Sequence, residues 1–242
     1  GKLAYEESHI RGAIYVDLDH DLSGDKTGTN GRHPLPSPEA WAKTKTRLGM
    51  SPNTLVVAYD KQGSVYASRL WWMLKATGHA KVQVLDGGLD AWNGPMGTVP
   101  RQPKPTQKPV EPMPYVGLVL VDEVVSNLQS QKNKVIDARA NDRFHGQNET
   151  LDPVGGHIPG AINHFFKDNL SATAFKPAEQ LFKEFVELLG PTKPSDVIHQ
   201  CGSGVTACHN LLAMELAGLK GSRLYAGSWS EWCADTKRPI EL

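Results

Sequence analysis

The sequence predicts an α/β protein of two units, each a parallel sheet with helices on both faces. Three observations carry this expectation. Short β-rich runs alternate with helical ones along both halves of the chain, which is the pattern of strands joined by helical crossovers. The two halves also repeat. Ser8-His9-Ile10-Arg11-Gly12-Ala13-Ile14 matches Gly156-His157-Ile158-Pro159-Gly160-Ala161-Ile162 at an offset of 148, and Gly87-Gly88-Leu89-Asp90-Ala91-Trp92 matches Gly227-Ser228-Trp229-Ser230-Glu231-Trp232 at an offset of 140. A tandem duplication with an indel between the two landmarks explains both matches. Between the halves, 93–114 carries seven prolines, at 95, 100, 103, 105, 109, 112 and 114. Proline fixes φ and removes a donor, so an extended linker is expected there rather than a packed element. The expected division is 1–93, a linker at 94–114, and 115–242.

Taken in order, the first half has a helix over 38–48, opened by Ser37-Pro38, since proline is at home in a first helical turn. A strand follows at 55–59, then a helix over 65–76 closed by Gly78, and a strand at 82–85. The second half opens with a helix from about residue 122 and a strand at Val135-Ile136. A helix over 177–189 shows an apolar face of Leu181, Phe182, Phe185, Leu188 and Leu189. Val197-Ile198 is a further strand, and beyond it Val205, Leu212 and Leu216 share one side of a helix that Gly218 stops. The first half has no counterpart for the opening helix and strand of the second. Relative to the repeat, a first strand and helix are expected to be missing from it.

Bulk composition narrows the function. Lys plus Arg and Asp plus Glu both number 26, for a net charge of zero, so nothing in bulk supports a nucleic-acid or acidic-membrane partner. No apolar run approaches the length of a membrane span. Three cysteines are too few, and odd in number, for a disulfide framework; they point to a reducing compartment, and a cytoplasmic location is expected. The cysteines and His209 have no zinc-ligand spacing, so no metal is expected.

The stretch richest in chemistry is Val197-Ile198-His199-Gln200-Cys201-Gly202-Ser203-Gly204-Val205-Thr206-Ala207. It reads as a buried strand, a cysteine at the strand's carboxyl end, a tight turn and a helix. Ligands in open parallel sheets sit at that end of the strands. Gly202 and Gly204 let the loop curl so that backbone N–H groups, with the positive end of the helix, favour an anion at its centre. A thiolate held there is a nucleophile. The same residue types also suit a small buried hydrophobe at Cys201.

Cys201-Gly202-Ser203-Gly204-Val205-Thr206-Ala207 resembles the active-site loop of the rhodanese superfamily, and within it the two-domain mercaptopyruvate sulfurtransferases. The resemblance continues through His9-Ile10-Arg11-Gly12-Ala13, Trp71-Trp72-Met73, Leu85-Asp86-Gly87-Gly88-Leu89, Asp137-Ala138-Arg139, Gly156-His157-Ile158-Pro159-Gly160-Ala161 and Gly227-Ser228-Trp229-Ser230-Glu231-Trp232. It implies two tandem rhodanese-like domains, the second catalytic and the first a non-catalytic wall whose counterpart of Cys201 is Asp60 or Lys61. It implies transfer of a sulfane sulfur from a small anionic donor, through a Cys201 persulfide, to a small thiol, a thioredoxin-like protein or cyanide. No organic cofactor enters that scheme. By resemblance, Arg143 holds the substrate anion, and Gly202, Gly204, Val205 and Thr206 of the loop bind the substrate with it. Ser203, His33 and Asp19 match a serine–histidine–aspartate set that would move a proton to the leaving enolate.

Alternatives stand beside these readings. Ser203 could cap the helix, with His33 an exposed loop residue. Arg139, beside Asp137, suits a structural ion pair. His9 and His157, being duplicated in the repeat, suit structural roles. Cys208 suits the core, and Cys233 an exposed thiol open to disulfide formation. The interval 147–155 contains Glu149 and Asp152 but no second arginine, so the expected carboxylate clamp is incomplete. A cysteine phosphatase would need an arginine six residues after Cys201, where Ala207 stands. Enzymes of this superfamily that use thiosulfate carry cations directly after the cysteine; Gly202 and Ser203 carry none, which favours mercaptopyruvate. Thiosulfate sulfurtransferase activity and a non-catalytic docking role are the remaining alternatives.

Overall fold

A computed structural model describes all of residues 1–242, which form two compact units. The first comprises Gly1–Asp25 and Leu35–Val116, the second Lys26–Pro34 and Gly117–Leu242. This departs from the expected division, because 26–34 leaves the first half of the sequence to join the second unit. The Arg32 N–H donates to Ser230 Oγ at 3.0 Å. Gly31, at φ +88°, lies so close to Gly227 that a Cβ would strike the Gly227 carbonyl.

In the first unit, α1 (Lys2–Glu7) and β1 (His9–Ile10) precede α2 (Pro38–Arg47), β2 (Val56–Ala58), α3 (Val65–Ala76), β3 (Val82–Val84) and β4 (Met96–Gly97). Strands β2 and β3 pair in parallel, Val57 opposite Gln83, with α3 as the crossover between them. Strands β1 and β4 pair antiparallel, Ile10 opposite Met96. Ser37 caps α2 by accepting from the Ala40 N–H at 3.2 Å, satisfying one orphan donor of the first turn. Helix α3 buries Ala67 through Leu74, including both tryptophans. The proline-rich stretch is extended, as expected, but it is packed against this unit. The Thr106 N–H donates to Thr46 O at 2.9 Å, and the Val110 N–H to Thr46 Oγ1 at 2.8 Å. Prolines leave such a segment few donors, and the carbonyls at the end of α2 have no partner within the helix. The two needs meet.

In the second unit, β5 (Leu118–Val119), α4 (Val121–Ser130), β6 (Lys134–Asp137), α5 (Asn141–Phe144) and β7 (Ile162–Asn163) come first. A small antiparallel hairpin, β8 (Leu170–Ser171) and β9 (Ala174–Phe175), leads to α6 (Ala178–Leu189), β10 (Val197–Gln200), α7 (Ala207–Leu216), β11 (Arg223–Tyr225) and α8 (Ser228–Trp232). The main sheet has five strands in the order β5-β11-β10-β6-β7, all parallel. All four residues of central β10 are buried. The core gathers Val119, Val135, Phe144, Ile158, Ile198, Tyr225, Trp229 and Trp232.

Two helical faces differ from expectation. In α6, Leu181, Phe185 and Leu189 are buried while Phe182 is exposed; the buried stripe follows the four-residue spacing and is narrower than the apolar face in sequence. In α7, every residue from Ala207 to Met214 is buried and Leu216 is exposed. That helix is enclosed by the sheet, by α6 and by the 166–169 turn, so its burial is not one-sided.

Candidate functional site

Strand β10 delivers Cys201 to the carboxyl edge of the sheet, where it is 2% exposed. Two turns grip it. The Cys201 N–H donates to Ser228 Oγ at 3.1 Å, and the carbonyls of Cys201 and Gly202 accept from the N–H groups of Trp229 and Ser230, each at 3.0 Å. The loop then reverses at Gly204, φ +75°, where a Cβ would run into the Ala226 carbonyl. Both the backbone conformation and the close approach require glycine. The turn aims the Gly204 N–H at Cys201 Sγ, 3.2 Å away. Val205 is buried beneath the loop, and the carbonyls of Val205 and Thr206 accept from the N–H groups of Cys208 and His209. Thr206 opens α7. Cys208 supports the turn from the core, its Sγ donating to Gly204 O at 3.3 Å.

Ser203 does not cap α7: Thr206 occupies the cap position, and no side chain caps that end. Instead Ser203 Oγ lies 2.8 Å from His33 Nδ1, so the structure brings these two residues together across 170 positions of sequence. Asp19 lies in the first unit, exposed, in a turn where its own N–H donates to Asp17 Oδ1 at 2.9 Å.

The arginine arrangement differs from the sequence reading. Arg143, at the end of α5, is gripped by Glu149, with Nε to Oε2 at 3.0 Å and Nη2 to Oε1 at 2.9 Å, and it reaches Asp152 at 3.4 Å. A second guanidinium comes from Arg32, paired with Asp152. Both border the loop: a Cβ at Gly202 would stand 2.8 Å from Arg32 Nη2 and 3.6 Å from Arg143 Nη2. The second guanidinium that 147–155 lacks thus comes to the loop from a segment far upstream. Its only signal in the sequence was adjacency to His33. Burial works to raise the Glu149 carboxyl, but the Leu151 N–H and the Arg143 guanidinium outweigh it and hold it below its ordinary value. Arg139 is a structural ion pair as expected: it is buried, bonded to Asp137 and to Gly156 O, and stacked over Trp229.

A cysteine at a sheet edge, an anion-turned loop and two guanidinium groups set the comparison with known proteins. The model of the Rhodanese-like domain matches residues 1–95 and again 120–235. The chain belongs to the rhodanese family. It is 43% identical to "Probable 3-mercaptopyruvate sulfurtransferase" of Pseudomonas aeruginosa over 99% of this chain and 86% of that protein. It is 37% identical to 3-mercaptopyruvate sulfurtransferase of Homo sapiens over 94% of this chain and 78% of that one. Thiosulfate sulfurtransferase of Mus musculus is 34% identical over the same shares. Among solved structures, 3-mercaptopyruvate sulfurtransferase from Leishmania major superposes with a TM-score of 0.87 at 29% identity, covering 99% of this chain and 67% of that one. The chain is a sulfurtransferase, taking sulfur from a small-molecule donor to a thiol acceptor.

The first rhodanese domain builds the same loop around a different group. Leu89 N–H donates to Asp60 O at 3.0 Å, just as Trp229 N–H donates to Cys201 O, so Asp60, not Lys61, is the counterpart of Cys201. Its Oδ1 accepts from the N–H groups of Gln62 and Ser64 at 2.8 and 2.9 Å, and its Oδ2 from Tyr66 and Ala67 at 2.7 and 2.9 Å. The anion cradle is filled by the protein's own carboxylate.

Three further groups were read from sequence. Cys233 is buried, not exposed; burial and the nearby Asp152 carboxylate push its thiol up to about 11. It is therefore shielded from disulfide chemistry. His9 and His157 hold structural contacts, with Nδ1 against Tyr5 O and Phe144 O respectively. No helix is long and apolar enough to cross a membrane.

Proposed function

We propose that this rhodanese takes its sulfur from 3-mercaptopyruvate and carries it as a persulfide on Cys201. The observation that carries the reading is Cys201 Sγ facing the Gly204 N–H at 3.2 Å, beside a loop residue bordered by two guanidinium groups. The Cys201 thiolate attacks the donor's sulfur: an S–S bond forms, the donor's C–S bond breaks, and the electron pair leaves on the pyruvate enolate. The enolate takes a proton, passed by Ser203 and His33, and pyruvate departs. Arg32 and Arg143 orient the donor's carboxylate. An acceptor thiolate, from a small thiol or a thioredoxin-like protein, then attacks the outer sulfur, leaving as the new persulfide and restoring the Cys201 thiolate. The three unpaired cysteines fit a reducing, cytoplasmic setting. Asp19 is assigned to this set by resemblance alone.

Charge balance favours mercaptopyruvate over thiosulfate. Arg32 and Arg143 are already faced by Asp152 and Glu149, so the site offers no surplus of positive charge for a dianion. A monoanion with a carbonyl can be held by shared guanidinium hydrogen bonds. Side-by-side kcat/KM values for the two donors test the assignment, together with intact mass after donor treatment. One added sulfur should appear on wild type and none on Cys201→Ser. A preference for thiosulfate would defeat the charge argument, and turnover without the added sulfur would defeat the persulfide.

A further inference from the structure

Helix α2 turns one face inward: Trp41 is fully buried, and four residues on, Lys45 is 3% exposed. A lysine at such a position is rarely buried without a carboxylate partner. None lies within ion-pair reach of Lys45. Its single hydrogen-bond partner is Thr77 Oγ1, at 3.4 Å. That hydroxyl also accepts from Trp41 Nε1 at 3.1 Å and donates to Met73 O at 2.8 Å, so the one bond from Lys45 fills its last lone pair and it can offer no more. An ammonium has three donors, and two remain. Burial pushes the Lys45 ammonium below its ordinary value.

Lys45 and Thr77 line a cleft of about 1070 Å³ that lies wholly within the first domain. Its outer wall is the proline-rich stretch, pinned to α2 through Thr46 and packed so tightly that a Cβ at Gly49, φ +76°, would strike the Lys104 carbonyl. Lys104 and Lys108 add positive charge at the rim, against one carboxylate, Glu111. Pro105, Pro109, Val110 and Met113 give that wall apolar surface between its polar residues. The size is that of a small-molecule site, and its lining mixes apolar side chains with polar ones, Ser51, Thr77 and His79 among them.

We propose that this cleft binds a small organic anion, a carboxylate or sulfonate on an apolar body, with its head group on the Lys45 ammonium. The anion supplies the counter-charge that the protein withholds, and the proline-rich wall takes the apolar part. The site is separate from the sulfur chemistry and stands whatever the donor.

The probe is 8-anilinonaphthalene-1-sulfonate, followed by its fluorescence and by the Trp41 indole N–H signal in NMR spectra of the full chain. In wild type the Trp41 signal should shift on titration. Octanoate should displace the dye, and inorganic phosphate at equal concentration should not. Lys45→Met should weaken dye binding by about tenfold or more while raising the melting temperature, because a buried charge that has only the Trp41 ring and one hydroxyl beside it, and no carboxylate, is removed. Lys104→Glu with Lys108→Glu, both exposed, should weaken binding with the core untouched. An unmoved Trp41 signal, unchanged binding in Lys45→Met, or a lower melting temperature for that variant would overturn the proposal. Displacement by phosphate as effective as by octanoate would refute the apolar half of it.

Discussion

Arg32→Met removes the guanidinium that the second domain recruits from the first half of the sequence. Its consequences separate into two. Asp152, whose side chain is 2% exposed, loses its ion-pair partner and keeps only Arg143, at 3.4 Å. Breaking a fully buried pair costs about 3–5 kcal/mol; Arg32 is 30% exposed and Arg143 remains, so a loss of about 1–3 kcal/mol in folding stability is expected. The donor loses one charge-assisted contact, about 1.5–3 kcal/mol, which is roughly ten- to a hundredfold in kcat/KM. Arg32→Met with Asp152→Asn distinguishes the two effects. The double variant should regain the stability, since no buried charge is stranded, without regaining activity toward mercaptopyruvate. Urea unfolding and steady-state kinetics on the wild type and three variants complete the cycle. If the double variant recovers full kcat/KM, Arg32 serves only to neutralise Asp152 and does not hold the donor.

Three further outcomes are expected. Ser203→Ala should lower kcat with mercaptopyruvate by roughly a hundredfold and spare thiosulfate turnover, because sulfite leaves without needing a proton; equal losses with both donors in stopped assays would refute the proton relay. Asp60→Ala should destabilise the first domain by about 2–4 kcal/mol, since four N–H groups lose a charged acceptor; Asp60→Asn should cost less, and calorimetry of both variants checks the order. His199 is buried, and burial first, with the charge of His164 second, lowers it from 6.5 to about 3. Between those values the unfolded chain binds a proton that the folded chain refuses, so the stability is whole above pH 6.5 and is lost as pH falls toward 3. The loss at pH 4.5 is about 2–3 kcal/mol, and His199→Leu should remove that part of the slope in urea titrations at pH 7 and 4.5.

The loop after Cys201 was legible in sequence because its determinants are local. A buried strand, two glycines and a helix start lie within eleven consecutive residues, and the reversal at Gly204 follows from backbone sterics alone. The repeat offsets and apolar periodicities likewise located α2, α3, α6 and the strands at 135 and 197 to within a few residues. What only the tertiary structure decided was long in range. Arg32 reaches the loop because Gly31 can pack against Gly227 and Ser230 accepts the Arg32 N–H, a contact across 198 positions. No periodicity encodes that, and a search for a second arginine near Arg143 looks in the wrong half of the chain. Phe182 and Leu216 lie outside the buried faces because hydrophobic pattern says which residues could be buried, whereas neighbouring elements decide which are. The choice between Asp60 and Lys61 turned on a single gap in the repeat. A hydrogen bond from Leu89 settles it, since sequence spacing tolerates a one-residue slip and backbone geometry does not.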